Sequence, residues 1–359
     1  MIRVPGGDAA GAGRRGGVFG PFVKRSHGPR PRGAAAALAA ALAAGASLVL
    51  AGCEAPSILR AEGSAGNEIV TLAIWIFSIL AIVLLTVWGL LVFVIVRGRK
   101  RPESEASQTK GNLGIEIVWT AIPAVIVTVL LVLTIYTTEQ LALPDRGAQF
   151  TAIGRQWWWD FQFKELGFKS PNEVYAVRGR TTSIDVESAD VIHSFWVPQM
   201  GGKVDMIPGH VNHIRFVPLT DGTYLGECSE FCGAQHGKMR FLFVVVPPAE
   251  YSAWVKRQQQ PAARPSGADA VAGEKVIASV GCGSCHAIRG TSLEGTFGPD
   301  LTHFGSRGGI AAYTLRNTPE NLLRWLQDPQ AVKPECNMPN VPLPLQQQKE
   351  LAAYLEELK

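Results

Sequence analysis

Cys228-Ser-Glu-Phe-Cys232-Gly-Ala-Gln-His236-Gly-Lys-Met239 places two thiols, one imidazole and one thioether within twelve residues. Thiolate and thioether sulfurs are soft donors that suit copper, and imidazole suits copper as well. A second imidazole must come from elsewhere in the chain. His193, 35 residues before Cys228, is the best candidate. The stretch therefore predicts a copper site on a loop.

Two other metal sites use similar residues. A single zinc ion could be held by two cysteines and two histidines. Against zinc, three residues separate Cys228 from Cys232, and Met239 completes the loop. A blue-copper site uses one Cys, two His and a weak axial Met, so one cysteine would be surplus. Two bridging thiolates, two imidazoles and two weak donors favour a centre of two coppers.

The pattern resembles the CuA centre of cytochrome oxidase subunit II. The resemblance implies that both cysteines bridge two coppers and that each copper has one histidine. One copper also has the methionine, and the other has the backbone carbonyl of Glu230. The side chain of Glu230 would face a Mg²⁺ ion shared with the partner subunit. The implied ligand set is His193, Cys228, Glu230, Cys232, His236 and Met239.

Short strands surround this loop. β-branched residues alternate with polar ones at residues 174–177, 182–187 and 213–218, and residues 241–246 form a continuous apolar run. Turn residues such as Thr220-Asp221-Gly222 separate these segments. Many short strands at regular spacing predict an all-β barrel or sandwich. With the resemblance, residues 139–252 are expected to form a cupredoxin domain.

The segment Gly154-Arg-Gln-Trp157-Trp158-Trp159-Asp-Phe-Gln-Phe163 is dense in aromatic residues. A buried aromatic strand is the simplest interpretation. The oxidase family has a similar segment, and its first Trp lies at the surface where a separate cytochrome c docks. Trp157 matches that position, which implies a role in electron entry. The family more often has Tyr where this chain has Trp158.

A second cofactor motif follows a polar, proline-bearing linker predicted at residues 253–269. Cys282-Gly-Ser-Cys285-His286 is the attachment pattern of c-type haem. A thioredoxin-like redox pair is the alternative, but the adjacent His and the lack of a βαβ pattern oppose it. Residues 270–359 are therefore expected to form an all-α class I cytochrome c domain.

The sixth iron ligand of this haem is expected to be Met338. It precedes Pro339 and lies 52 residues after His286. Met/His ligation is one of the common arrangements of c-type haem. His303 is the alternative, but in the family its segment lies on the proximal side. Cys336, next to this loop, has no assigned role.

Two stretches are long and apolar enough to cross a bilayer. Residues 69–96 carry no charge, and residues 115–136 carry one, Glu116. The cluster Arg97-Gly98-Arg99-Lys100-Arg101 between them is positively charged, and such loops stay in the cytoplasm. The sequence predicts a transmembrane hairpin with helices at 69–97 and 115–138 and a cytoplasmic loop at 98–114. Later residues are then extracytoplasmic.

Glu116 has two interpretations. An acid near a membrane boundary is costly unless it has a partner or a role. Its position also permits a place at the wet interface. The segment Glu116-Ile-Val-Trp119-Thr-Ala-Ile-Pro123 resembles the start of the second helix in oxidase subunits II. There the matching acid lies at the mouth of a proton path.

The N-terminus resembles a bacterial lipoprotein signal. An Ala-rich apolar run at residues 34–52 follows basic residues and ends in Leu50-Ala51-Gly52-Cys53. In that family the peptide is cleaved before the Cys, whose thiol carries a diacylglycerol. This predicts a signal at residues 1–52, lipidation of Cys53 and an N-terminal segment at 53–68. An uncleaved apolar helix with a chance Cys is the alternative.

Composition agrees with a membrane protein. The 359 residues are 47% hydrophobic and 18% charged, with a formal net charge of +4. Much of the positive excess lies in the first 32 residues, so the rest gives no reason to expect nucleic acid as a partner. Those basic residues are Arg3, Arg14, Arg15, Lys24, Arg25, Arg30 and Arg32.

Together these features resemble caa-type oxidases, whose subunit II carries a fused cytochrome c. The resemblance implies electron entry at haem c, passage through CuA, and delivery to subunit I for oxygen reduction coupled to proton translocation. Expected partners are subunits I and III, membrane lipid, and a cytochrome c or a quinol–cytochrome c reductase as donor. The expected location is the bacterial inner membrane, with both cofactor domains on the periplasmic side. A CuA-containing nitric oxide reductase subunit and a stand-alone membrane-anchored carrier are the alternatives.

Overall fold

Two long helices precede the domain that carries the copper motif. The computed structural model describes residues 57–99, 111–141 and 147–359. Within those ranges α1 spans Ser64–Gly98 and α2 spans Leu113–Leu141. Both are long and apolar enough, by length and composition alone, to cross a membrane. The predicted signal peptide, Cys53 and most of the predicted cytoplasmic loop lie outside the described residues.

Helix α1 begins five residues before the predicted span, because its first turn packs on the domain that follows α2. The amide of Ser64 donates to the carbonyl of Val217 at 2.9 Å, and that of Gly66 donates to Met200 at 3.0 Å. Gly66 is buried in this contact. The start of the membrane helix is therefore attached directly to the β-domain.

The β-domain is a sandwich of two five-stranded sheets, as the sequence predicts. One sheet has the order β3-β2-β1-β5-β8 and the other β4-β10-β9-β6-β7. Two pairs are parallel, β1 with β5 and β4 with β10. The strands are β1 Phe150–Arg155, β2 Trp158–Phe163, β3 Phe168–Pro171, β4 Glu173–Val177, β5 Thr182–Ser188, β6 His193–Trp196, β7 Val204–Met206, β8 Asn212–Phe216, β9 Gly222–Cys228 and β10 Arg240–Val246.

Aromatic side chains fill the space between the two sheets. Trp159 of β2 contacts Phe195 and Phe241 with ring centroids 5.8 Å and 4.8 Å away. All three side chains are fully buried. Gly226 leaves room for the ring of Phe241, because a Cβ there would lie 2.1 Å from Cζ of that ring. A rigid core therefore underlies the strand ends that carry the copper motif.

The predicted start of the linker, at residue 253, is wrong. Residues 253–258 belong to helix α3, Pro248–Gln258, which packs on the sandwich. Trp254 is 4% exposed and stacks on Tyr175 with centroids 4.6 Å apart. One buried aromatic ring extends the β-domain beyond residue 252, although the surrounding composition is polar.

The C-terminal domain is helical and has its own apolar core. Helix α4 crosses α7 closely at Gly273, where a Cβ would lie 2.0 Å from the carbonyl oxygen of Glu350. Its elements are α4 Ala268–Ser279, the short hairpin β11 Gly309–Ile310 and β12 Leu315–Arg316, α5 Pro319–Gln327, α6 Pro329–Val332 and α7 Leu345–Glu357. This is the helical class that the haem motif predicts.

Candidate metal and haem sites

Strand pairing brings the predicted metal ligands together. Cys228 is the last residue of β9, and Met239 directly precedes β10. His193 begins β6, which pairs with β9 through Phe195 opposite Cys228. His193 and Cys228 are 35 positions apart in the sequence, and one strand pair brings them together. The loop between β9 and β10 supplies the remaining donors.

The donor atoms form two half-sites of similar composition. In one, Cys228 Sγ lies 3.8 Å from His193 Nδ1 and 3.2 Å from the carbonyl oxygen of Glu230. In the other, Cys232 Sγ lies 3.7 Å from His236 Nδ1 and 3.9 Å from Met239 Sδ. Each half-site therefore has one thiol, one imidazole and one weak donor.

These distances suit bound metal ions. Metal–sulfur and metal–nitrogen bonds of about 2.3 and 2.0 Å at a tetrahedral angle separate the two donors by about 3.5 Å. The two sulfurs lie 3.7 Å apart, and both cysteines are free. A disulfide would bring them to about 2.05 Å. Among the described residues His193, Cys228 and Cys232 form one compact cluster, and His236 faces only the second sulfur.

Asp190 orients the imidazole of His193. Its Oδ1 lies 2.7 Å from Nε2 of His193, and its Oδ2 accepts the amide of Gln156 at 2.7 Å. The carboxylate accepts a proton from Nε2, so Nδ1 is the nitrogen presented to a metal. Burial lowers the pKa of His193, but its hydrogen bonds to Asp190 and Cys228 outweigh burial and raise it. Such an outer contact fixes both tautomer and ring orientation.

The two thiols differ before any metal binds. The hydrogen bond between the two sulfurs lowers the pKa of Cys228, against the opposing effect of burial. The same contact raises the pKa of Cys232, and burial raises it further. One thiolate is therefore stabilised at neutral pH, and thiolate is the form that binds metals.

The aromatic segment holds the metal loop in place. The indole of Trp157 and the side-chain amide of Gln156 both donate to the carbonyl of Cys232, at 2.9 Å and 2.8 Å. The indole of Trp159 donates to the carbonyl of Met239 at 3.3 Å. Three donors from one segment thus restrain the backbone on both sides of His236.

Trp157 does not lie at the surface, unlike the first Trp of the family segment. It is 8% exposed and belongs to the core of the β-domain, and the C-terminal domain contacts the turn that carries it. Lys333 donates to the carbonyl of Trp157 at 2.6 Å, and Asn337 donates to that of Gln156 at 2.9 Å. A fused domain occupies the face that the resemblance assigned to a separate cytochrome c.

The haem motif lies beside a large, mostly apolar cavity. Cys282 and Cys285 line it with His286. Nδ1 of His286 donates to the carbonyl of Pro299 at 2.7 Å, which leaves Nε2 as the nitrogen for a metal. Burial lowers the pKa of His286 and keeps the ring neutral. Apolar lining comes from Ile277, Val280, Phe297, Leu301, Leu322 and Trp325.

The structure separates the two candidates for the sixth ligand. Met338 lines the same cavity as His286, together with Cys336. His303 lines a different pocket, beside Tyr175 and Trp254 of the β-domain. The side chain of Cys336 lies 3.4 Å from Nε2 of Gln330. The donor set and the apolar lining therefore fit haem c, and Met338 lines the cavity that contains the haem motif.

Two predicted acidic residues remain, Glu116 and Glu230. Glu116 occupies the first turn of α2, with its amide bonded to the carbonyl of Asn112 at 3.0 Å. The side chain of Glu230 is exposed, next to Phe231, which is 76% exposed. Glu230 is thus available to a partner through its carboxylate while its carbonyl faces Cys228.

Comparison with known proteins covers all three parts of the chain. Residues 60–136 match the cytochrome C oxidase subunit II transmembrane domain, 168–246 its periplasmic domain, and 270–359 cytochrome c. Cytochrome c oxidase subunit 2 of Alkalihalophilus pseudofirmus is 33% identical over 330 residues, 87% of this chain and 94% of that protein. This chain belongs to the cytochrome c oxidase subunit II family.

Other relatives agree with the family. Cytochrome c oxidase subunit 2 of Bacillus subtilis is 28% identical over 81% of this chain and 88% of its own. The crystal structure of the periplasmic domain of subunit II from Bradyrhizobium japonicum is 30% identical, covering 32% of this chain and 96% of that one, with a TM-score of 0.31. The family models and the relative from Alkalihalophilus pseudofirmus confirm the resemblance drawn from the sequence.

Membership in the subunit II family carries consequences for cofactors and location. The periplasmic-domain and cytochrome c matches imply copper and haem c. The transmembrane and periplasmic matches make this chain a membrane protein with a periplasmic domain. Both agree with the donor sets and with the two long apolar helices.

Sequence reasoning missed several residues of this subunit II that act through others. Asp190 carried a usable signal, since it is an acid three residues before a predicted ligand. No sequence signal marked Gln156 or Lys333. Both donate to backbone carbonyls, and every residue has such a carbonyl. Only the folded arrangement identifies which carbonyls they reach.

Proposed function

We propose that this chain is the electron-accepting subunit of a terminal cytochrome c oxidase, with a dicopper CuA centre and haem c. When bound, the two cofactors carry electrons from a cytochrome c or a quinol–cytochrome c reductase toward subunit I, where oxygen is reduced. The oxygen-reducing site belongs to that partner. The observation that carries this proposal is Trp157, which lines the haem cavity and donates to the backbone of Cys232.

The chain's own residues would hold the two coppers rigidly. Cys228, Cys232, His193 and His236 would hold the coppers, and Met239 and the Glu230 carbonyl would be the weak donors. Four of the five ligand side chains are buried, all except that of His236, and the three indole and amide donors restrain the loop. A site whose ligands move little when charge changes needs little reorganisation, which favours rapid electron transfer.

At the haem, Cys282 and Cys285 would form thioethers, and His286 and Met338 would ligate the iron. Pro299 orients His286 through Nδ1, and the apolar lining excludes water. Met/His ligation raises the potential of a haem. Trp157 is the proposed entry residue, because its ring lines the cavity and its indole N–H reaches the copper loop.

The copper end of the β-domain is the proposed docking face for subunit I. Exposed apolar side chains flank the ligands there, next to the carboxylate of Glu230. Phe231 precedes Cys232, Ile192 precedes His193, and Ile207 follows Met206, which pairs with His193. Burying such a patch against a partner removes apolar surface from water. We place the shared Mg²⁺ at Glu230 in this interface.

The remaining proposals concern the membrane part. We place α1 and α2 in the bacterial inner membrane, with the loop around Arg97 and Arg99 in the cytoplasm. Glu116, at the start of α2, would lie at the mouth of a proton path coupled to subunit I. Cys53 would carry lipid, and subunit III would complete the complex. The proposed domains keep the predicted bounds, except that the β-domain continues through Gln258.

Electron paramagnetic resonance of the copper-loaded chain tests the central proposal. We expect the hyperfine pattern of one electron shared equally by two copper nuclei. Cys232→Ser should abolish that pattern, because it removes a bridging sulfur. Cys336→Ser is the matched control and should leave it unchanged, since Cys336 lines the haem cavity instead. A localised single-copper spectrum from the unaltered chain would overturn the assignment.

A further inference from the structure

Lys333 of the C-terminal domain is buried at the boundary with the β-domain. Lys333 is only 3% exposed. Its ammonium donates to the carbonyls of Trp157, Lys238 and Ala311, at 2.6, 2.9 and 3.3 Å. An ammonium has three N–H donors, so all three are used by backbone acceptors. A buried ammonium is costly unless it is hydrogen-bonded in this way.

The three carbonyls come from three different parts of the chain. Trp157 belongs to the aromatic segment, Lys238 precedes the ligand Met239, and Ala311 lies in the C-terminal domain. Lys238 returns the contact, because its ammonium donates to the carbonyl of Val332 at 2.9 Å. Two lysines, one from each domain, thus reach across the boundary in opposite directions.

A left-handed turn lies at the same boundary. Ala311, Ala312 and Tyr313 have φ angles of 52°, 54° and 57°, a left-handed conformation that L-residues rarely adopt in succession. Each residue of this left-handed turn, residues 311–313, makes a contact at the boundary. Ala311 accepts from Lys333, Ala312 accepts the amide of Arg240 at 3.3 Å, and the hydroxyl of Tyr313 donates to Glu173 at 2.5 Å. Such a conformation persists where its surroundings over-determine it.

We propose that Lys333 is a positioning residue that holds the haem domain in one orientation on the β-domain, with the haem cavity against Trp157. Three fixed acceptors allow the ammonium only one placement, and the left-handed turn supplies one of them. The domain boundary is thereby specified by hydrogen-bond geometry. The inference rests on the proposed transfer of electrons between the two cofactors.

Lys333→Met in the full chain tests this inference. The substitution keeps an unbranched side chain but removes the ammonium that donates to all three carbonyls. Hydrogen exchange of the Arg240 amide, which bonds across the boundary, should accelerate by at least about tenfold, while amides in β9 and α4 keep their protection. The haem-to-copper transfer rate should fall by at least about tenfold and become dependent on solvent viscosity, because domain reorientation then limits it.

Two further variants keep the test sharp. Lys275→Met removes an exposed lysine of α4 and should match the unaltered chain in both measurements. Tyr313→Phe removes the contact with Glu173 and should accelerate Arg240 exchange even if Lys333→Met fails to fold. Unchanged exchange in Lys333→Met, or in Tyr313→Phe where Lys333→Met does not fold, would overturn the positioning role. An unaltered chain that transfers no electrons from haem to copper would instead overturn the proposed function.

Discussion

At the scale of single residues, the copper site depends on atoms that touch no metal. Asp190 bonds to His193 through one oxygen and to the backbone of Gln156 through the other. It therefore fixes the imidazole relative to the segment that restrains the copper loop. Burial raises the pKa of Asp190, but the hydrogen bonds from His193, Gln156 and Val191 outweigh it and lower that pKa. The lowered pKa keeps the Asp190 carboxylate charged, so that it accepts the hydrogen bond from Nε2 of His193.

Asp190→Asn should weaken copper binding by about 10- to 100-fold, the usual cost of removing an outer-sphere carboxylate. Competition titration against a chelator measures this affinity. Asp185→Asn is the matched control, because Asp185 forms an equivalent 2.7 Å contact with the exposed His213. Equal losses in both variants would show that general destabilisation, and not ligand orientation, is responsible.

The proximity of the predicted ligands could be foreseen from the sequence for a physical reason. Cys228, Cys232, His236 and Met239 are soft or borderline donors on one loop, so proximity follows from short separation. Placing His193 beside this loop required the additional assumption that strand pairing brings together residues 35 positions apart. The pairing of β6 with β9 does this. Lys333 was beyond prediction, because its three partners are backbone carbonyls far apart in sequence.

At the scale of elements, the packing of β1 against β6 sets the space for His193. Gly154 of β1 lies beneath the imidazole, and a Cβ there would be 2.7 Å from Cδ2 of His193. His193 is fully buried, so its ring has little room to move. Overpacking of this kind typically costs about 1–3 kcal/mol.

Gly154→Ala should therefore displace His193 and reduce copper occupancy, although residue 154 is not a ligand. The haem absorption spectrum should stay unchanged, because the haem domain has a separate core. Gly237→Ala is the control. It lies within the copper loop, but an added Cβ would meet nothing within 4 Å, so copper should be retained. Copper loss in the control with retention in Gly154→Ala would contradict this account.

The elements were predicted more accurately than their ends. Alternating and apolar runs marked β4, β5, β8 and β10 within one or two residues. Helix α3 was missed, and its last residues, 253–258, were assigned to the linker, since few apolar residues stand among the polar ones there. The resemblance assigned Trp157 to the surface, whereas it packs in the core of the β-domain. A local sequence pattern shows which face of a strand or helix is apolar, but it does not show which other part of the chain packs on that face.

At the scale of the whole molecule, two separate cores meet at a polar boundary. The core of the β-domain includes Trp157 and Trp254, and that of the haem domain includes Ile277 and Leu355. The contacts between them include hydrogen bonds donated by Lys238, Arg240, Lys333, Asn337 and Tyr313. Because α3 packs on the β-domain, removing residues 261–359 leaves the first core complete.

Removing residues 261–359 should open a direct route from an external cytochrome c to the copper centre. In the full chain Trp157 is 8% exposed, so an external donor must first reduce haem c. Copper reduction should then reach a plateau as donor concentration rises, because the internal step becomes limiting. In the shortened chain Trp157 is uncovered, and the rate should rise in proportion to donor concentration. Stopped-flow absorbance of the copper centre distinguishes these two dependences.

Trp157→Ala in the shortened chain supplies the control for this route. It should abolish most of the reduction by external cytochrome c, while a small-molecule reductant that needs no docking still reduces the copper. Trp158→Ala, a change in the neighbouring residue, should have the smaller effect, because the indole of Trp157 donates to Cys232 whereas the ring of Trp158 stacks with Arg155. A plateau that persists in the shortened chain would mean that the fused domain is not what limits access. The face over Trp157 would then be closed to external donors by the β-domain itself.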